Sequence, residues 1–167
     1  MTQHFFRPLA QRALIGAGLL FLVCGAAPAA DDLPFTGLEG HWAGNGTIDF
    51  SNGTRESIKC RANYDLPKQD NLQLEVHCAS DSYQFDLRGS ANYAGGAVTG
   101  SWSESTRNAA GTISGTAGKD RLQVVATSSA FTATLTLVTR GDSQTIDIKS
   151  QESKASIKGA SISLKRN

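Results

Sequence analysis

The chain has 167 residues, with 16 Lys and Arg against 15 Asp and Glu. Two of the basic residues lie in an N-terminal leader, so 14 remain to balance the 15 acidic ones. This near-neutral balance excludes the strong basic excess that nucleic-acid binding needs, and the remaining length suits one domain with a modest core.

Residues 1–29 have the pattern of a secretory signal peptide. Arg7 and Arg12 form a positive start, an apolar run follows, and residues 27–29 spell an Ala-x-Ala cleavage site. The apolar run is short for a membrane span, and the valine before Cys24 is too large for a lipidation signal. We therefore expect an exported protein, periplasmic or secreted, that retains no membrane span.

Residues 30–39 form a predicted arm that precedes the folded domain, because they show no hydrophobic periodicity. The arm carries two large apolar residues, Phe35 and Leu38, which could plug one end of a β-barrel. A single domain is then predicted to span residues 40–167.

The stretch 52–80 predicts one long β-hairpin, because apolar and polar residues alternate along both of its arms. Pairing Cys60 with Cys78 places apolar residues opposite one another on one face, as far as Leu66 with Leu72. A one-residue slip would turn one arm's apolar set to solvent, so the cysteines and the pattern agree on one register. In an exported chain we expect these cysteines to form a disulfide rather than remain reduced, stabilising the fold by about 3 kcal/mol.

Turn-forming residues divide the rest of the sequence into further short strands, about ten in all. The inward-facing residues of the first two strands all have even numbers, and a two-residue turn between the strands would not allow this. A three-residue loop or a bulge at Gly53 is therefore predicted. Two-residue hairpins are predicted at 118–119, 129–130 and 141–142, where the apolar pattern is symmetric about turn-compatible residues. The phase breaks in the last strand, which predicts a β-bulge near Gly159.

The predicted fold class is all-β, an antiparallel up-and-down meander of about ten strands. A closed barrel and a two-sheet sandwich both fit such a meander. Gly44, Gly46 and Gly100 lie mid-strand on the inner face, where glycine permits tight bends and close approach of the backbone. These glycines favour a closed or nearly closed barrel.

The first predicted strand begins with Gly40-His41-Trp42. This Gly-x-Trp pattern resembles that of the calycins, the lipocalin and avidin type of small exported barrel. The resemblance implies that Trp42 packs at a closed end of the barrel and that an arginine near the end of a late strand covers it. Arg140 closes the predicted eighth strand, and its contact with Trp42 would be worth about 0.5–2 kcal/mol.

The chain is also similar to the small bacterial metalloprotease inhibitors, which combine a signal peptide, a Gly-x-Trp barrel and one disulfide. In that group the N-terminal arm enters the cleft of the enzyme. The resemblance implies that a protein partner would contact residues 30–38 here.

If the Trp42 end is closed, the opposite rim should be the mouth of the barrel. Strand direction brings two carboxylates and several aromatic side chains to the inner face near that mouth, with an arginine on an adjacent loop. The candidate ligand-binding residues are Glu56, Tyr83, Phe85, Trp102, Glu104, Arg107 and Phe131. A polar rim on an apolar pocket is typical of ligand sites; the alternative is that both glutamates simply reach water.

The sequence offers no set of residues for catalysis or metal binding. His41 and His77 should point outward from different strands, which is a poor arrangement for a metal or a catalytic triad. Two carboxylates could suggest a glycosidase, but nothing in the sequence fixes the distance between them. We therefore expect no catalytic residue, no metal and no cofactor, and a protein that is not an enzyme.

Three functions fit this reading. The first is an exported barrel that binds a small, partly apolar ligand. The second is a protein-interaction module, such as an inhibitor of an exported protease, that uses the arm. The third is a structural envelope protein whose barrel is filled by its own side chains.

Overall fold

A computed structural model describes residues 33–152 and 155–167. The predicted leader and the first residues of the predicted arm lie outside the described residues. Within these ranges ten antiparallel strands follow in chain order: β1 (Gly40–Phe50), β2 (Arg55–Lys68), β3 (Asn71–Ala79), β4 (Gln84–Ala94), β5 (Ala97–Glu104), β6 (Ala109–Ala117), β7 (Arg121–Ser128), β8 (Thr132–Arg140), β9 (Ser143–Ser150) and β10 (Ile157–Arg166). Successive strands pair with each other and β10 pairs with β1, so the sheet closes. The all-β class, the meander and the closed barrel are thus confirmed. Over the same described ranges, no helix is long and apolar enough to cross a membrane.

The long hairpin of β2 and β3 has the predicted register at its centre. Cys60 lies opposite Cys78, and their sulfur atoms form the predicted disulfide. The apolar pairs stop earlier than predicted, because the register shifts near the end of β2 and Leu66 is not paired with Leu72. Pro67 has no N–H to donate to a strand ladder, which explains the break at this point.

Most of the predicted connections are confirmed. Between β1 and β2, the Phe50 amide donates to the Thr54 carbonyl (2.9 Å), which encloses the expected three-residue loop. Gly53 in this loop has φ +85°, a left-handed conformation that glycine adopts without strain. The registers of β7 with β8 and of β8 with β9 match the predicted two-residue hairpins at 129–130 and 141–142.

The hairpin between β6 and β7 differs from the prediction by one residue. The Gly118 amide donates to the Arg121 carbonyl (2.8 Å), so the turn is centred on Lys119 and Asp120 rather than on 118–119. Both placements put polar, turn-compatible residues at the tip, which is why the pattern alone chose the wrong one.

Two backbone devices help the sheet to close. The pairing of β1 with β10 shifts by one residue beside Gly159, which confirms the predicted bulge. A Cβ added to Gly44 would lie 2.0 Å from the Ser163 carbonyl oxygen, and one added to Gly100 would lie 2.0 Å from the Ser90 carbonyl oxygen. No larger residue fits where neighbouring strands approach this closely, so the inner glycines let the sheet bend into a barrel.

The arm closes one end of the barrel, here named the arm end, where β1 begins. Phe35 is fully buried and Leu38 is 2 % exposed, and Phe35 meets Tyr93 edge-on with ring centroids 6.2 Å apart. The Trp42 indole nitrogen donates to the Leu38 carbonyl (2.7 Å), which ties the arm to the first strand. The predicted plug of Phe35 and Leu38 is therefore present.

The arginine that covers Trp42 is Arg166, and the prediction of Arg140 is wrong. The Arg166 guanidinium carbon lies 4.3 Å from the centre of the Trp42 ring, and the same group donates to the Gly37 carbonyl (2.8 Å) and to the Glu39 carbonyl. The reason is barrel closure, because the β1–β10 ladder places Arg166 directly opposite Trp42. Arg140 is exposed at the end of β8, three strands away from β1 in the barrel.

Candidate functional site

The opposite end of the barrel, here named the open end, is where β1 finishes and β2 begins. Apolar and aromatic side chains that remain partly exposed there are Phe50, Tyr83, Phe85, Leu87, Phe131, Ile148 and Ile157. At the arm end, Phe35 and Trp42 are almost completely buried, although Tyr93, Leu122 and Leu137 near them are partly exposed. The open end therefore presents partly accessible apolar surface close to the inner face.

Two cavities lie elsewhere on the molecule. One of about 340 Å³ lies at the arm end, between the arm and the loop that follows β6. The other, about 930 Å³, runs over strands β1 to β6 and is lined largely by polar side chains such as Arg61, Glu75 and Arg88, and also by Glu104. The aromatic side chains of the open end line neither of them.

Glu104 ends β5 at the open end and is only 3 % exposed. Its carboxylate accepts backbone hydrogen bonds from Asp86 (3.1 Å), Thr106 (2.9 Å) and Arg107 (2.9 Å), and another from the Thr106 hydroxyl (2.5 Å). Burial raises the pKa of the Glu104 carboxyl, but the hydrogen bonds outweigh burial, so the pKa lies below its ordinary value. Glu104 is thus a charged anchor for the loop between β5 and β6.

Arg107 belongs to the same loop and stacks on Tyr83. Its guanidinium carbon lies 3.9 Å from the centre of the Tyr83 ring, and its Nη1 is 3.7 Å from the Glu104 carboxylate. Tyr83 meets Phe50 edge-on, with ring centroids 6.3 Å apart. Burial raises the pKa of the Tyr83 hydroxyl, so this group stays neutral at physiological pH. The structure therefore brings three predicted site residues together and adds Phe50.

Glu56 anchors the loop between β3 and β4 in a similar way. The hydroxyls of Ser80 (2.6 Å) and Ser82 (2.5 Å) both donate to its carboxylate, and the Ser82 amide contributes a longer contact (3.3 Å). The hydrogen bonds from Ser80 and Ser82 lower the pKa of the Glu56 carboxyl. The Ser80 hydroxyl also accepts the Tyr83 amide (3.0 Å), so the loop positions the Tyr83 ring.

The two inward carboxylates thus have a role that the sequence reading did not include. Contact with a ligand and contact with water were the predicted alternatives. Glu56 is partly exposed and so reaches water, whereas Glu104 is buried, and both carboxylates hold loops. Ser80, Ser82 and Thr106 were missed because hydrogen bonds between loops leave no periodic signal. Phe50 was detectable, since it shares the inner phase of β1.

Trp102 and Phe131 form a second aromatic cluster, with ring centroids 5.3 Å apart and planes inclined by 41°. Trp102 is 7 % exposed and lies between Gly89 on β4 and Gly111 on β6 in the ladder. A Cβ on Gly111 would lie 3.0 Å from the Trp102 indole nitrogen, so the ring leans over a glycine. Among the described residues, the indole N–H of Trp102 is the buried side-chain polar group that has no hydrogen-bond partner.

The remaining predicted positions are more dispersed. Phe85 lies opposite Cys78 and is partly buried. His77 is exposed and paired with Asp86, while His41 is exposed at the arm end. Within residues 33–152 and 155–167, no group of three or more His, Cys, Asp or Glu side chains could hold a metal ion.

No protein-family model matches the sequence, and no curated protein is a significant match. Solved structures do share the fold. Rv2717c from M. tuberculosis superposes with a TM-score of 0.64 at 12 % identity, covering 80 % of this chain and 94 % of that protein. The S-type phycobiliprotein lyase CPES from Guillardia theta gives 0.56 at 10 % identity, covering 80 % and 90 %. EF1p2_mFAP2b, solved with bound DFHBI, gives 0.52 at 12 % identity, covering 81 % and 98 %. At these identities the similarity concerns the fold alone, which is a closed ten-stranded barrel.

Proposed function

We propose that the mature chain is an exported, non-enzymatic β-barrel that binds a small, partly apolar ligand at its open end. The observation that carries this proposal is the contrast between the two ends. Phe35 and Leu38 of the arm fill one end as a buried plug, whereas Phe50, Tyr83, Phe85 and Phe131 remain partly exposed at the other end, where no comparable plug lies among the described residues. Concave apolar surface with a few fixed polar groups is the usual setting for small-molecule binding.

The rim of the open end has the rigidity that such a site needs. Glu56 and Glu104 each hold a loop through several hydrogen bonds, and Arg107 holds the Tyr83 ring from one side. A rim that is ordered before binding loses less conformational entropy when a ligand arrives. A similar fold in EF1p2_mFAP2b holds DFHBI, which is consistent with a ligand in a barrel of this shape.

Export is part of the same proposal. The signal-peptide pattern of residues 1–29 is one support. The Cys60–Cys78 disulfide is a second, because disulfides persist mainly in oxidising compartments outside the cytosol.

The interaction-module alternative is less well supported. To enter the cleft of a protease, the arm would have to withdraw Phe35 and Leu38 from the barrel and break the contacts of Trp42 and Arg166 with its backbone. The third alternative, a filled structural barrel, is the one that a binding experiment must separate from ours.

Native mass spectrometry of the mature protein, purified from its own cell envelope, tests the proposal. A co-purifying small mass is expected, and Ala160→Phe should remove it, because Ala160 is partly exposed on the inner face opposite Ile48 and Ile148. Ser163→Phe adds the same bulk at an exposed position of the same strand and should retain the mass. A bare protein in every preparation, together with no binding of apolar dyes, would favour the filled barrel.

A further inference from the structure

The two tryptophans of the chain differ in one respect that bears on the ligand. Trp42 is buried and donates its indole N–H to the Leu38 carbonyl at 2.7 Å. Trp102 is nine-tenths buried, yet its indole N–H has no partner among residues 33–152 and 155–167. A buried donor without a partner costs about 1–3 kcal/mol, so its retention at the open end points to a partner that arrives from outside the chain.

The side chains beside Trp102 in the sheet do not satisfy this donor. Its neighbours across the ladder, Gly89 and Gly111, have no side chains. In β7, the next strand along, Ser128 lies opposite Gly111 and carries an inward hydroxyl. That hydroxyl accepts the amides of Ala130 and Phe131 (both 3.1 Å) and donates to the Phe131 carbonyl (3.4 Å), so it is already engaged.

Charge at the open end restricts the chemistry of an incoming acceptor. Among the described inward-facing residues of the strands there, Glu56 and Glu104 are the charged ones, and the pKa of each is held below its ordinary value by hydrogen bonds. Arg107 offsets only part of this negative charge and lies 3.7 Å from Glu104. An anionic ligand would meet net repulsion, whereas a neutral acceptor such as a carbonyl oxygen would not.

We propose that Trp102 is the hydrogen-bond donor of the site, and that it binds the carbonyl oxygen of a neutral, flat, apolar ligand that packs against Phe131. This inference rests on the proposed function and names the class of ligand. Phe131 packs on the Trp102 ring and is partly exposed, so it has the freedom to turn and admit the ligand.

Two matched dyes test the proposal. Acetyl(dimethylamino)naphthalene is neutral and flat and carries one ketone, and ethyl(dimethylamino)naphthalene has nearly the same shape without the carbonyl. The ketone dye should bind the mature protein at least about fivefold more tightly, the gain expected from one buried hydrogen bond. Anilinonaphthalene sulfonate, an anionic dye of similar size, should bind more weakly than the ketone.

The role of the N–H itself is tested by replacing Trp102 with benzothienylalanine, which keeps the ring shape and has sulfur in place of the N–H. The preference for the ketone should disappear, while the ethyl dye should bind as it does to the unmodified protein. The same replacement at Trp42 is the control and should leave the preference intact, with thermal unfolding confirming that both variants are folded.

Nuclear magnetic resonance supplies a second readout. Protein labelled with ¹⁵N-tryptophan should give two indole signals, since the chain has two tryptophans. The ketone dye should move the Trp102 signal downfield and leave that of Trp42 in place.

The outcomes separate the inference from the function on which it rests. Equal binding of the ketone and ethyl dyes would overturn the role of Trp102 and leave the binding barrel standing; an ordered water on the indole nitrogen would give this result. Tighter binding of the anionic dye would overturn the neutral ligand class. No binding of any dye up to its solubility limit would overturn the apolar site, and with it the inference.

Discussion

Truncation of Phe35 to alanine tests whether the arm is an integral part of the core. Phe35 is fully buried and contacts Tyr93, and replacing a buried phenylalanine by alanine usually costs about 3–5 kcal/mol. With the predicted leader cleaved, as we propose for the exported protein, the arm is a chain end that can detach instead of enclosing a cavity. The loss therefore cannot exceed the free energy of docking the arm, and we expect about 3 kcal/mol, at the lower limit of the usual range.

The free energy of unfolding should be measured by urea denaturation of the mature chain, followed by circular dichroism. Thr36→Ala is the matched control, because Thr36 is exposed on the same arm and its hydroxyl donates to the nearby Leu33 carbonyl (2.8 Å). This substitution should cost less than about 1 kcal/mol. Adding Leu38→Ala to Phe35→Ala should cost less than the sum of the two single effects, because both act through one docking equilibrium.

A loss below about 1 kcal/mol for Phe35→Ala, equal to that of Thr36→Ala, would refute this reasoning. It would mean that the arm contributes little to the stability of the closed end. An arm docked that weakly would be available to a protein partner, and the protease-inhibitor alternative would gain support.

Three further predictions concern the disulfide, the arginine over Trp42 and the buried carboxylate. Replacing Cys60 and Cys78 together by alanine should lower the free energy of unfolding in urea by about 3 kcal/mol, since a loop of 18 residues is no longer closed in the unfolded state. Arg166→Met should cost about 2 kcal/mol in the same assay by removing the contact with Trp42 and the arm carbonyls, whereas Arg140→Met should leave stability unchanged; equal losses would return Arg140 to the role first predicted for it. Glu104→Gln should cost about 2 kcal/mol at neutral pH. Because the folded pKa of Glu104 is below its ordinary value of 4.5, its stabilising effect is present above that value and is lost as the pH falls through the folded pKa. The gap between wild type and Glu104→Gln should therefore narrow at acid pH, and a constant gap from pH 7 to about pH 3 would contradict the assignment.

The architecture could be predicted from the sequence because β-strands produce a periodic alternation of apolar and polar residues. The alternation around Cys60 and Cys78, the turn residues and the inner glycines are all local patterns, and each limits which strands can pair. The prediction that the sheet closes into a barrel followed from Gly44 and Gly100. At these positions only a glycine lets the neighbouring strands approach as closely as they do. Errors arose where two registers were equally good in local terms, as in the turn after β6.

The identity of the arginine over Trp42 could not be obtained in this way. Assigning Arg140 required counting strand ends in a regular meander, whereas the true neighbour depends on how β10 meets β1. That register is set by the bulge beside Gly159, which changes the phase of the last strand. The local pattern predicted this bulge, but it did not show that β10 pairs with β1, and only that pairing places Arg166 opposite Trp42.

The open end illustrates a different limit, because its key interactions join loops that are distant in sequence. Glu56 bonds to the loop of Ser80 and Ser82, and Glu104 bonds across strands to the amide of Asp86. The site residues were predicted only from the alternation that places their side chains on the inner face. This alternation does not distinguish a carboxylate that binds a ligand from one that holds a loop.

These contacts give the charged and the uncharged side chains at the open end different roles. Glu56 and Glu104 use their hydrogen-bonding capacity on the loops, so neither is an obvious partner for a ligand; what they contribute at a distance is negative charge. Trp102 has the opposite character, since it is uncharged, lies among glycines and has a donor that nothing in the described chain accepts. A rim that repels anions and an interior donor that needs an acceptor together select a neutral molecule with a carbonyl group. Exchanging Glu104 for glutamine should therefore weaken the discrimination against the anionic dye without removing the preference for the ketone, because charge and donor reside on different side chains.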